Sequence, residues 1–186
     1  MPGSNRRHDP DRRDRIIDAA LRVVRERGIA GLTHRTAAAA ADVPLGSTTY
    51  HFATLDDLLV AALRRADESH AARAVFSART TGPPPPDEDL AAGLARLLGE
   101  WLSGDRAGVE LEYELYLAAL RRPALRPVAA EWYGAVTAAL AERTDPRTAR
   151  ALVAAMDGIC LRVLLTGAPY EEEDARQALA RLLPRG

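Results

Sequence analysis

The stretch from Pro146 to Thr166, PRTARALVAAMDGICLRVLLT, narrows what this chain can fold into more than any other. Asp145 offers a side-chain cap, Pro146 suits a first helical position, and Gly167 stands where a left-handed residue closes a helix. At ~1.5 Å per residue the helix so bounded is about 30 Å long. Leu152, Val153, Met156, Ile159, Cys160, Leu161, Val163, Leu164 and Leu165 spread over nearly every side of it. A helix apolar all round must be covered all round, and other helices are the natural cover.

The remainder supplies them. From Asp11 to Arg27, Ile16, Ala19, Ala20, Val23 and Val24 recur on one helical face, and Gly28 follows where a left-handed cap is wanted. Thr33 is placed to cap HRTAAAAA, a run of high helix propensity. Asp42 tolerates positive φ in a turn, and Pro44 can open a helix running to about Phe52. Thr54 and Asp57 form a capping-box pair ahead of a long helix carrying Leu55, Leu58, Leu59, Ala62 and Leu63. Four consecutive prolines rule out helix interior, so residues 80–87 read as an extended connector. Leu90, Leu94, Leu97, Leu98, Trp101 and Leu102 mark the next amphipathic helix, ended by Gly104. Two more follow, punctuated by Pro123 and Pro127, and the last begins at EEED with an apolar stripe of Ala175, Ala178, Leu179, Leu182 and Leu183. No run alternates as a strand does; the chain is expected to be all-α.

Composition excludes several classes. Hydrophobic residues make up 47% and charged residues 27%, an ordinary globular balance. No apolar stretch approaches the ~18 residues that a membrane helix needs, so no membrane partner is expected. One cysteine, Cys160, cannot form an intrachain disulfide and fits a reducing cytoplasm. His8, His34, His51 and His70 show no ligand spacing, and there is no Ser-His-Asp order and no phosphate loop. Neither metal, cofactor nor catalysis is expected. Net charge is −1, yet the segment up to Phe52 is basic and the rest acidic, a weak pointer to a phosphate-facing front end.

The segment LTHRTAAAAADVPLGSTTYHF, residues 32–52, sharpens that pointer. Two short helices, about 34–41 and 44–51, separated by a tight turn have the geometry of a helix-turn-helix, whose second helix enters the major groove of DNA. Gly46 would let the backbone approach closely, and Ser47, Thr48 and Thr49 can meet phosphates or base edges. Tyr50 and His51 can reach flanking phosphate oxygens. On spacing alone, a polar surface turn explains the same residues equally well.

The stretch RIIDAALRVVRERGIAGLTHRTAAAAADVPLGSTTYHFATLDDLLVAAL resembles the N-terminal domain of TetR-family transcriptional regulators in the order and spacing of its motifs. The match covers roughly residues 12–63, and MDGICLRVLLTG is similar to the long dimerising helix of many members. By this resemblance Thr33 and His34 take phosphate-side positions, Arg35 reaches a base or a phosphate, Leu45, Gly46, Ser47 and Thr48 face the groove, and His51 meets a phosphate. Three positions depart from the family pattern and bear on the strength of binding. Thr49 replaces a tyrosine, Leu55 a lysine, and Asp42 a turn glycine.

The implied architecture has about nine helices. An arm over 1–10 precedes a three-helix helix-turn-helix DNA-binding domain over 11–53, and a helical ligand-binding and dimerisation domain fills 54–186. The implied function is a regulator, in the family's usual case a repressor, that binds a (pseudo)palindromic operator in double-stranded DNA as a homodimer and is released by a small-molecule effector. The alternative is a small-molecule-binding or protein-interaction module of the same fold with weak or lost DNA binding. Trp101, Glu112, Tyr113, Tyr116, Trp132 and Met156 are effector candidates, with Glu112 suited to a cation or amine; the aromatics suit an ordinary core equally well. Leu152, Met156, Ile159, Val163, Ala175, Leu179 and Leu182 are the dimer candidates, because the two last helices carry more apolar surface than a small domain hides. Asp157 and Arg162 either pair across that dimer or face the pocket.

Overall fold

The computed structural model describes residues 10–80 and 90–184, with side chains given for all of these but 68–80. The expected arm over 1–10 and connector over 80–87 lie, except for one residue each, outside the described residues. Nine α-helices and no strand are found among the described residues. They are α1 (Arg12–Arg27), α2 (His34–Ala41), α3 (Leu45–His51), α4 (Leu55–Thr80), α5 (Leu90–Ser103), α6 (Arg106–Ala118), α7 (Arg126–Ala141), α8 (Pro146–Thr166) and α9 (Glu172–Ala180). Short 3-10 turns at Ile29–Gly31 and Pro123–Leu125 complete the set.

The chain divides into two compact units. One takes the described residues up to Ala66 together with Leu111–Val128; the other takes Asp67–Glu110 and the residues from Ala129 onward. In the first unit, Ile16, Ala20, Val23 and Val24 of α1 are buried with Leu58, Leu59 and Leu63 of α4 and with Leu111 and Leu115 of α6. Each such aliphatic side chain contributes about 1.5–3 kcal/mol on leaving water. Phe52 lies in the same core, with the Arg13 guanidinium 5.3 Å from its ring centre. Arg15 and Arg22 of α1 donate to Ala41 O and Ala40 O, which satisfies carbonyls at the end of α2.

In the second unit, α5 presents Ala91, Leu94, Ala95, Leu98 and Leu102 to α8 and α9. Gly99 allows a close approach: a Cβ there would stand 2.9 Å from the Tyr170 ring. The Tyr170 hydroxyl donates to Ala95 O, and burial together with Glu172 pushes its phenol up to about 12. Asp145 caps α8 through the amides of Arg147 and Thr148, at 2.9 and 3.1 Å, and Gly167 closes it in the left-handed region.

Part of the dimer expectation is corrected here. Leu152, Val163, Ala175 and Leu179 are buried within a single chain, so they have no area left to hide against a second copy. They fill the interior of the second unit. Met156 and Ile159 are half-buried, and Leu182 is exposed. The open side of α8 is a different stripe, Ala154, Gly158 and Leu165, with Leu165 77% exposed.

Candidate DNA-binding and effector sites

Local chemistry fixes the helix-turn-helix. The Thr33 hydroxyl accepts the Thr36 amide at 3.0 Å while the Thr36 hydroxyl accepts the Thr33 amide at 2.8 Å, a reciprocal box at the start of α2. At the other end Asp42 adopts φ 53, ψ 52, the left-handed conformation expected for it. Val43 N–H then reaches back to Ala38 O at 3.0 Å, which reverses the chain sharply. Pro44 precedes α3 as its N-cap, one position earlier than the first helical residue expected of it. Thr54 and Asp57 close a second reciprocal box ahead of α4, at 2.8 and 3.1 Å. The Thr54 amide, then its hydroxyl, holds the Asp57 carboxyl below its ordinary range.

This frame sorts the candidate residues by what each side chain is free to do. Leu45, Gly46, Thr49 and Tyr50 are exposed on α3, with Tyr50 84% exposed. A Cβ built on Gly46 meets nothing within 4 Å, so no intramolecular packing requires glycine there. Ser47 is half-buried. Thr48 is a correction: it is 0% exposed, and its hydroxyl donates to Leu45 O at 2.7 Å and lies 3.4 Å from His34 O. Helical phase turns this threonine inward, where it joins α3 to α2 and cannot face a groove. Thr33 and Arg35 are exposed on the first turn of α2. His34 is half-buried, and its Nδ1 is buried with no hydrogen-bond partner among the described residues. His51 is half-buried, edge-on to Tyr50 at 5.1 Å. Arg35 also lines a groove of about 480 Å³ with Arg22, Glu26 and Arg27 of α1.

The effector candidates fall in both units. Glu112, Tyr113 and Tyr116 belong to the first. Glu112 is a carboxylate only 1% exposed, Tyr113 is buried, and Tyr116 packs on the core. Trp101, Trp132 and Met156, all half-buried, belong to the second. The Trp132 ring meets Tyr133 edge-on at 5.0 Å. Burial, and then a hydrogen bond to Asp157, raises the Tyr133 phenol far above its ordinary range, so Asp157 is engaged within its own unit.

Sequence reasoning missed the residues that tie the segment 111–128 to the front of the chain. Glu114 accepts the Ile29 amide at 2.7 Å, and Arg122 pairs with Asp56 on the first turn of α4. The partners of Glu114 and Arg122 are 85 and 66 positions away, and no local pattern signals them.

Comparison with known proteins places this geometry. The family described as tetracyclin repressor-like, C-terminal domain, matches residues 85–185. No curated protein matches the chain. Among solved structures, the multidrug binding protein EbrR complexed with imidazole is 70% identical, with a TM-score of 0.89 over 96% of this chain and 98% of that one. EbrR complexed with ethidium gives 69% identity and 0.84 over 94% and 99%. Its complexes with proflavin and malachite green match at 70% identity, with TM-scores of 0.80 and 0.83 over 92% and 95% of this chain and 99% and 100% of those. A TetR-family member from Streptomyces coelicolor A3 is 70% identical with a TM-score of 0.84, over 95% of this chain and 100% of that one. An all-helical chain with a capped helix-turn-helix, and with relatives this similar over nearly its whole length, belongs to the TetR family of transcriptional regulators.

Proposed function

We propose that this chain represses transcription by binding a (pseudo)palindromic operator in double-stranded DNA as a homodimer, and that an aromatic cation releases it. It works in the cytoplasm, with residues 11–53 as the DNA-binding part and 54–186 as the effector-binding and dimerising part, and it carries no catalytic role. The observation that bears most of this reading is the surface of α3. Its exposed positions are Leu45, Gly46, Thr49 and Tyr50, and the missing Cβ at Gly46 has no partner inside the chain. A helix surface of that kind fits close approach to an external backbone, and threonine and tyrosine hydroxyls fit phosphates and base edges. Thr33, His34, Arg35, Ser47 and His51 extend the proposed contact. Arg35 carries the planar fork that pairs with guanine.

Glu112 supports the effector class. It sets a buried acidic side chain on α6, and ethidium, proflavin and malachite green, bound by EbrR at 69–70% identity, are delocalised aromatic cations whose charge an acidic group complements. Tyr113 and Tyr116 lie on the same helix, and these are the proposed contacts. Trp101, Trp132 and Met156, within the other unit, are separate candidates, each to be tested singly. The second copy is proposed to sit on the open stripe of α8, Ala154, Gly158 and Leu165, with Leu182 at the end of α9. Half-sites one turn of DNA apart would call for recognition helices about 34–36 Å apart in the homodimer.

The test is fluorescence anisotropy of labelled duplexes from beside the gene, across a salt series. Tight binding whose logarithm falls with log salt by about 0.9 per phosphate contacted supports the regulator. Weak binding, equal to that of random DNA, would favour the module with weak or lost DNA binding instead. Malachite green titrated without DNA reports the effector site, and Glu112→Gln is expected to weaken it about tenfold, or ~1.4 kcal/mol. Unchanged dye affinity would remove Glu112 from the site.

A further inference from the structure

The turn between α1 and α2 is held from outside the helix-turn-helix by a carboxylate. Glu114 of α6 accepts the Ile29 amide at 2.7 Å, just past the end of α1. Next to it, Gly28 adopts φ 69, ψ 171, a region closed to residues with a side chain, and a Cβ there would stand 3.2 Å from the same Glu114 oxygen. From Ile29 the hydrogen bonds run on without a gap. Ile29 O accepts the Leu32 amide at 3.1 Å, and Gly31 O accepts the Thr36 hydroxyl at 2.9 Å. Thr36 closes the box with Thr33, and between these two stand His34 and Arg35. Arg122, paired with Asp56, anchors the chain beyond the other end of α6.

We propose that Glu114 is a positioning residue that sets the first turn of α2 for DNA and passes effector occupancy to it. The inference rests on the effector reading given above, in which Glu112 meets the aromatic cation. Residues two apart on a helix do not share a face, so a ligand at Glu112 does not touch the Ile29 bond directly. It acts by shifting α6, and a hydrogen bond weakens steeply once its distance and angle depart from the optimum. Release of Ile29 then frees the 29–31 turn, whose Gly31 carbonyl steadies Thr36 and hence the cap beside Arg35.

The experiment compares full-length wild type, Glu114→Gln and Glu114→Ala. Operator affinity is measured with and without malachite green, and dye affinity without DNA. In wild type the dye is expected to weaken operator binding by a factor in the range of about 5–150 typical of coupled sites. Glu114→Ala should bind the operator more weakly without dye and bring that factor to within about twofold of one, with dye affinity unchanged. Glu114→Gln keeps an oxygen for the Ile29 amide and should retain most of the coupling. A wild-type factor in Glu114→Ala overturns the proposal. Amide exchange at Ile29 in wild type supplies a readout independent of how the variants fold: dye should speed it, and unchanged exchange overturns the proposal as well. If wild type fails to bind dye or operator, the effector or DNA reading has failed and the proposal falls with it, an outcome visible before any variant is made.

Discussion

Gly28 and Gly46 show how one residue type serves two purposes. Gly28 sits at φ 69, ψ 171 with Glu114 against it, so Gly28→Ala is expected to cost about 1–3 kcal/mol in urea unfolding, the range for forcing a side chain into such a region. Gly46 is helical and faces open space, so Gly46→Ala should leave stability within about 1 kcal/mol while weakening operator binding. Equal operator affinity in Gly46→Ala would show that α3 does not approach DNA at this point. Helical phase explains a similar division between neighbouring threonines. Thr48 and Thr49 read alike in sequence, yet only the latter is exposed. The caps at Thr33, Thr54 and Asp145 were legible because a cap depends on residues within three positions, and the structure has all three. Glu114 and Arg122 were not, because their partners are distant in the chain.

At the scale of elements, side-chain bonds near a helix start give a pH signature. In the first turn of α9, Arg176 and then Gln177 hold the Glu173 carboxyl at about 2, against an ordinary value of 4.5. A lowered carboxylate contributes stability that is complete above its unfolded value and disappears as pH falls through the folded one. Wild type should therefore lose its advantage over Glu173→Gln between pH 4.5 and about 2, measured as the difference between urea midpoints. A difference constant across that window would mean that the Arg176 contact does not persist in solution. Asp145 works in the same direction, held low by its bonds to the Thr148 hydroxyl and to backbone amides, and Asp145→Ala should lower the thermal midpoint. The helices with strong caps at both ends, such as α8, had their limits readable in the sequence to the residue. The end of α6 was harder to read, since Ala118 runs into a series of turns before Pro123 with no glycine to mark the stop.

For the whole molecule, burial within one chain decides which apolar residues remain for a partner. Leu165→Asp is expected to halve the mass seen by light scattering without unfolding the protomer, because Leu165 is exposed. Leu152→Ala should instead cost about 2–5 kcal/mol of protomer stability, as for a buried leucine. A dimer that survives Leu165→Asp would place the second copy elsewhere. Sequence periodicity marked both leucines as apolar but could not tell them apart, since which side of α8 is covered depends on how α5 and α9 pack. The same dependence governs the first unit, which is built from two separated parts of the chain. Leu111, Leu115, Leu125 and Val128 share a core with Ile16, Leu58 and Phe52. A genetic crossover near residue 54, joining this front end to the body of a distant relative, would therefore inherit a mismatched interior. Viable hybrids between such regulators should carry residues 111–128 along with the first 66, so that recombination moves two pieces of gene together or neither.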